Sequence, residues 1–134
     1  MRFDLLVQEF MRDAIVDKKI SIFGADFWRP LVHVEDMADA CISAIDASSQ
    51  LISGQIYNVG NDKENYTKIK LAEIIKEFIT DVEIEIIKSK KDPRNYKVSF
   101  EKIKNSLNFE SKYTVRDSVI EILNDIESGK IDPR

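Results

Sequence analysis

Residues 20–40 read ISIFGADFWRPLVHVEDMADA, and their order of residue types restricts the fold more than any other stretch. Residues 20–23 are rich in β-formers and Gly24 ends them, which predicts a short strand and a turn. Arg29 precedes Pro30, and a proline ring clashes with helical backbone at the residue before it, so Arg29 is expected to be extended. Pro30 can open a strand, where a missing N–H costs little, and residues 31–34 are predicted as that strand. A helix is predicted over 35–48, with Met37, Cys41, Ala44 and Ile45 as its buried stripe. Glu35 and Asp36 suit the positive N-terminal end of that helix. Strand, turn, strand and helix in so short a span call for a mixed α/β domain.

The flanking sequence supplies more helices. Over residues 3–19, Phe3, Leu6, Val7, Phe10, Met11 and Ala14 recur at three- and four-residue spacing, which predicts an amphipathic helix. So apolar a stripe needs a partner surface, and nothing on its N-terminal side offers one. Residues 48–54 form a polar connection, 55–59 (QIYNV) a strand closed by Gly60, and 61–66 a polar loop. Thr67 is the expected N-cap of a helix over 68–80, with Ile69, Ala72, Ile74, Ile75 and Phe78 on its apolar face. Residues 82–87 alternate apolar and acidic, as a half-exposed strand does. Residues 88–95 (KSKKDPRN) read as a basic, proline-containing loop, 96–98 suit a short strand, and 100–107 a short helix. After a loop at 108–113, Thr114 caps a last helix over 115–128, with Val119, Ile122, Leu123 and Ile126 inward and Gly129 as its stop. Without repeats, low-complexity tracts or linkers, residues 1–134 are expected to form a single domain.

Composition excludes several function classes. A chain of 134 residues can bury a core but is short for a two-domain enzyme. Its hydrophobic share of 43% and charged share of 33% are those of an ordinary globular protein. A net charge of −4 argues against a nucleic-acid or membrane surface as partner. Cys41 is the only cysteine and His33 the only histidine, which excludes an internal disulfide and a Cys/His zinc cluster, so no metal is expected. No apolar run approaches membrane-spanning length and the first residues lack the pattern of a signal peptide, so a cytoplasmic location is expected.

At Trp28-Arg29-Pro30-Leu31-Val32-His33-Val34-Glu35-Asp36 the sequence resembles the extended short-chain dehydrogenase/reductase family, the NAD-dependent nucleotide-sugar epimerases and dehydratases. The resemblance is to the carboxy-terminal half of such enzymes, which grips the substrate. Further segments follow in the family's order: Arg2-Phe3-Asp4-Leu5, Ile20-Ser21-Ile22-Phe23-Gly24, Tyr57-Asn58-Val59-Gly60, Asp92-Pro93-Arg94-Asn95-Tyr96, and Leu107-Asn108-Phe109 with Tyr113-Thr114-Val115. The resemblance implies that Arg29 and Arg94, on two loops, hold the substrate's diphosphate, with Asn58 as a further polar contact. Arginine suits that task because its planar fork donates two parallel hydrogen bonds to phosphate and stays charged. It also implies that Ser21, Ile22 and Phe23 line the base, with backbone groups reading its edge. Trp28 would wall the sugar site or anchor the core.

The family's catalytic half is not legible here. It needs a glycine-rich turn between strand and helix for the pyrophosphate of NAD, and Gly24, Gly54, Gly60 and Gly129 are too far apart to make one. Tyr66 and Lys70 have the spacing of the family's catalytic Tyr-x-x-x-Lys pair, but a cap at Thr67 leaves Tyr66 outside the helix, so the two do not share a face. His33, without a histidine or cysteine partner, is expected to be a packed, hydrogen-bonded residue rather than a base or ligand. Asp36 and Asp39 share a helix face, and the helix dipole accounts for Asp36.

The expected structure is therefore a small mixed α/β domain of about five helices around short two-stranded, largely parallel sheets, with no Rossmann domain. The expected function is substrate recognition in an NAD-dependent nucleotide-sugar epimerase or dehydratase. The chain would hold the nucleotide diphosphate while a separate Rossmann half, which carries NAD, performs hydride transfer. Alone it should bind no cofactor and catalyse nothing. A rival reading is a free-standing interaction or dimerisation domain derived from such an enzyme, favoured by the apolar face of the helix at 3–19. A third takes Met1 as an internal position of a longer reading frame.

Overall fold

The computed structural model describes residues 2–88 and 94–134. The apolar periodicity near the start folds as helix α1, Leu6–Val16, shorter than expected at both ends. Lys18 ends that region by taking a left-handed φ of 54°, which turns the chain into strand β1, Lys19–Phe23. Strand β2 is Trp28–Pro30, not the expected 31–34. The shift has a local cause: His33 takes the N-cap position of helix α2, Val34–Asp46, its Nδ1 accepting from Glu35 N at 3.3 Å. The residues after Pro30 are thus spent on reaching a helix start. A short helix α3, Ser49–Ile52, follows where only a polar connection was expected.

Residues 55–59, expected as a strand, pair with no strand among the described residues. Beyond them a 3-10 turn over Asp62–Glu64 leads to strand β3, Asn65–Thr67, in a stretch expected to be loop. Helix α4, Lys68–Phe78, starts where Thr67 Oγ1 accepts from Lys70 N at 3.4 Å. Strand β4, Glu83–Ile87, is followed by helix α5, Glu101–Leu107, and helix α6, Val115–Glu127. No strand forms at 96–98.

The strands make two separate pairs. β1 and β4 run parallel, with Ile20 opposite Ile84 and Ile22 opposite Ile86. β2 and β3 run antiparallel, with Trp28 opposite Thr67 and Arg29 opposite Tyr66. The result is the expected mixed α/β class: six α-helices and two-stranded sheets among the described residues, one sheet parallel.

Two cores hold these elements. The larger joins α1, β1, α4 and α6, where Met11, Ile20, Ile22, Leu71, Ile75 and Val119 are fully buried. Each large side chain there contributes about 1.5–3 kcal/mol by leaving water. The apolar face of α1 is thus covered from within the chain, by α4, β1 and α6, and is not the bare surface expected from the sequence. The smaller core gathers Ala40, Phe100, Ile103 and Phe109, with Tyr57 and Val59 against it. Gly60 is required there: at φ 150° a Cβ would lie 2.8 Å from the Phe100 ring.

The stripe expected to be buried on α2 faces outward instead. Ile45 is 79% exposed and Met37 39%, and Cys41 is also exposed; the buried positions are Asp36 and Ala40. Asp36 is an anchor rather than a residue tuned only to the helix dipole. Its carboxylate accepts from Lys112 N at 2.8 Å and Tyr113 N at 3.1 Å. The next two amides are also taken by carboxylates: Thr114 N by Asp117 at 2.8 Å and Val115 N by buried Glu64 at 2.9 Å. The start of α6 is therefore fixed from three sides.

Replacing Asp36 with Ala leaves two amides without acceptors and should cost about 3 kcal/mol. The check is a lower urea midpoint with an unchanged m-value. The hydrogen bond from the Thr114 side chain, then that from its backbone, lowers the pKa of Asp117 below the usual carboxylate range. A depressed folded pKa gives stability that is present above the unfolded value and lost as pH falls through the folded one. Unfolding free energy should therefore drop in acid, and Asp117→Asn should flatten that slope.

Candidate functional site

β2 presents the best-organised charged surface. Arg29 Nη1 donates to the carbonyls of Trp28 and Arg94, each at 2.7 Å, so the Arg29 side chain reaches the backbone at Arg94. Trp28 N donates to Asn95 Oδ1 at 2.9 Å. The Arg29 guanidinium lies 5.8 Å from the centre of the Tyr96 ring, and Lys97 Nζ sits 3.4 Å from the centre of the Trp28 ring. Residues 94–97 are therefore each held against β2, and all four are exposed. Arg29 and Lys97 bring positive charge to Trp28 on a chain whose net charge is −4. In the loop expected at 88–95, residues 89–93, including Asp92 and Pro93, lie outside the described residues.

The other expected residues are distributed differently. Ile22 is fully buried in the larger core, so only its backbone can reach a ligand. Ser21 Oγ donates to Glu85 Oε2 at 3.2 Å and is thereby tied to β4. The carbonyl of Phe23, at the end of β1, accepts from buried Lys68 Nζ at 3.0 Å. Gly24 then turns at φ 64°, where a Cβ would lie 2.7 Å from the Phe27 ring, and the chain runs on to β2 rather than into a helix. Asn58 Nδ2 donates to Ser99 O at 3.2 Å. That contact lies four residues beyond Asn95, roughly 13 Å along extended chain, so Asn58 anchors the same segment at its far end.

Asn95, Tyr96, Lys97 and Lys68 were not singled out from the sequence. Asn95 and Tyr96 belonged to the quoted motif, but nothing local marks Lys97 as a partner of Trp28, since 68 intervening residues separate them in sequence.

A cavity of about 310 Å³ opens just past Arg29, lined by Leu6, Pro30, His33, Glu64, Tyr113 and Val115 among others. His33 is packed as expected, its ring stacked on Tyr113 at 4.5 Å and its Nε2 2.9 Å from Glu121 Oε2. It holds these contacts from a helix cap rather than from a strand. Tyr113 Oη donates to Glu35 Oε2 at 2.7 Å, and that bond, followed by the nearby Glu35 charge, raises its pKa. Tyr66 and Lys70 turn to different partners. Tyr66 Oη donates to Glu64 Oε1 at 3.3 Å, its pKa raised by burial and then by the Glu64 charge, whereas Lys70 Nζ reaches Glu73 Oε2 at 3.1 Å. No helix among the described residues is long and apolar enough to cross a membrane.

Residues 5–60 match the family model described as the NAD dependent epimerase/dehydratase family. Pal from Bacillus thuringiensis is 29% identical, with a TM-score of 0.75 over 92% of this chain and 39% of its own. ADP-L-glycero-D-manno-heptose-6-epimerase from Helicobacter pylori is 21% identical, with a TM-score of 0.75 over 92% of this chain and 37% of its own. L-threonine dehydrogenase from Phytophthora infestans is 14% identical, with a TM-score of 0.79 over 92% of this chain and 41% of its own. At their low identities the last two show a common fold alone. The chain spans about two fifths of the length of these structures. Its resemblance to the epimerase/dehydratase family thus lies in sequence over residues 5–60 and in fold over most of its length.

Proposed function

We propose that this chain is the substrate-recognition part of an NAD-dependent nucleotide-sugar epimerase or dehydratase, gripping the nucleotide diphosphate of its substrate. The observation that carries this reading is the junction of Arg29 with Arg94, made by Arg29 Nη1 on the Arg94 carbonyl at 2.7 Å. Strand β2 and the segment at 94–97, distant in sequence, then come together at one surface, and an arginine guanidinium suits a diphosphate because its planar fork matches phosphate oxygens and stays charged. The bond between β2 and residue 94 preorganises the segment at 94–97, which lowers the entropy cost of binding. Trp28 and Tyr96 offer flat apolar walls beside these charges, and Lys97 adds a third cation over the Trp28 ring. β1, paired on one edge by β4, would meet the base through its backbone, because Ile22 and Ser21 already spend their side chains on the protein. The same applies to Asn58, whose amide is engaged with Ser99.

No NAD site is proposed on this chain. Gly24 leads from β1 into β2, so it cannot open the strand-to-helix turn that a pyrophosphate needs. The chain's own contribution is orientation: fixing the diphosphate fixes where the sugar ring points. Hydride transfer would fall to a separate nucleotide-binding half.

The expected outcome is that UDP- or dTDP-linked glucose shifts the amide resonances of residues around 28–29 and 94–97 in an NMR titration, and changes the emission of Trp28, the only tryptophan. Arg29→Ala should weaken binding by about tenfold to a hundredfold, as expected for losing charge-assisted hydrogen bonds. Arg94→Ala should act in the same direction. Equal affinity in wild type and both variants would remove the phosphate site from this surface.

A further inference from the structure

The segment at 94–99 runs beside β2 without joining a sheet. Among the described residues, 95–99 take part in no backbone-to-backbone hydrogen bond. Side chains hold them instead. Asn95 Oδ1 takes the Trp28 amide at 2.9 Å, and Asn58 Nδ2 donates to Ser99 O at 3.2 Å, so each secures one end by a single bond. Asn65 does more. Its Oδ1 accepts from Val98 N and its Nδ2 donates to Val98 O, both at 3.0 Å, and Nδ2 also donates to Asp62 O at 3.0 Å. A primary amide has two N–H donors and one acceptor oxygen, and all are in use here. Aspartate at this position would lack both donors, and leucine, of similar size, would lack all three groups.

We infer that Asn65 is a positioning residue for the diphosphate grip, acting through the segment that carries Arg94, Tyr96 and Lys97; the inference rests on the substrate reading given above. Asn65 belongs to β3, whose place is fixed on both sides of it. Glu64 before it accepts from Val115 N at 2.9 Å at the start of α6, and Thr67 after it caps α4. β3 is thus tied to the larger core, which contains Val115 and the buried face of α4. The Asn65 side chain carries that fixed position across to Val98, whose own side chain packs on the smaller core. Tyr96 and Lys97, which meet Arg29 and Trp28, lie between the held residues Asn95 and Val98. Without the Asn65 amide, the span from 95 to 99 keeps one bond at each end and loses the two between them. The entropy of ordering Tyr96, Lys97 and the adjoining Arg94 would then be lost on binding the ligand rather than on folding.

Asn65→Leu should leave the fold intact, because Val98 is only half-buried and its N–H and C=O can turn to water. Three effects are expected. Without ligand, the Val98 amide should exchange about tenfold faster than in wild type, read by NMR. Affinity for UDP-glucose should fall by about fivefold to tenfold. Arg94→Ala, which weakens binding in wild type, should change it by less than about twofold in the Asn65→Leu background, since the segment is already released. A residue that merely stabilised the fold would give additive losses instead. Asn65→Asp, which keeps the acceptor and gives up both donors, is the second variant and should show the same three effects in smaller degree. Wild-type affinity in a variant whose Val98 amide exchanges fast overturns the inference. So does an Arg94→Ala effect that stays at its full size in both variant backgrounds. A wild-type chain that binds no nucleotide-sugar sinks the substrate reading beneath it, and the Val98 rates, measured without ligand, tell that failure apart from an absent clamp.

Discussion

Four consecutive amides, from Lys112 to Val115, are received by three carboxylates, those of Asp36, Asp117 and Glu64. Much of the structure depends on this arrangement. Asp36 belongs to α2 and is fully buried, Glu64 ends the 3-10 turn before β3 and is nearly so, and Asp117 lies in α6 itself. The bonds therefore tie two separate parts of the chain, α2 and the 3-10 turn, to one helix start. They also join the two cores, since Val115 belongs to the larger and α2 supplies Ala40 to the smaller. A carboxylate taken out of water is tolerated only when its oxygens are satisfied. The amides at a helix start need acceptors for the same reason. Each requirement here answers the other, so neither side can be changed alone.

Asparagine amides perform a related task beside the arginines. Asn65 Nδ2 donates to Val98 O and its Oδ1 accepts from Val98 N, both at 3.0 Å, so one side chain supplies both bonds of a ladder partner. Asn95 Oδ1 takes the Trp28 amide. The segment at 95–98 is thus attached to β2 and β3 through side chains, which is why residues 96–98 run beside the sheet without forming a strand. This attachment sets the position of Arg94, Tyr96 and Lys97 over β2. The charged surface rests on a short sheet extended by amide groups rather than on a flexible loop.

The helices were legible in the sequence wherever their apolar face is buried within the chain. α1, α4 and α6 follow their periodicity, and Thr67 and Thr114 cap as expected. α2 was found as a helix, but its faces were assigned the wrong way round. Apolar periodicity reports that a face avoids water without saying what covers it, and Asp36 gave no sign of being buried because its partners lie 76 and 77 residues away. β3 was missed because three residues carry no period of their own and are recruited by β2. In the candidate site, the Arg-Pro pair marked Arg29 from local backbone sterics, and Arg94 came through the family resemblance. Lys97 and Asn95 owe their roles to tertiary placement, which no local pattern encodes.

The two faces of α2 carry different kinds of interaction, and this bears on how the domain is built. Most surface helices are oriented by burying their apolar stripe. α2 is held instead by directional bonds from Asp36 and by small Ala40 against the Phe100 cluster. Hydrogen bonds of this kind fix rotation about the helix axis without consuming the large apolar residues. Val34, Met37, Ile42 and Ile45 therefore remain exposed while the helix itself keeps a definite orientation. Any surface that covers them meets a helix already set in place, so the entropy of ordering it has been lost in folding rather than in association. The polar anchor inside is thus what allows the outer face to be both apolar and rigid.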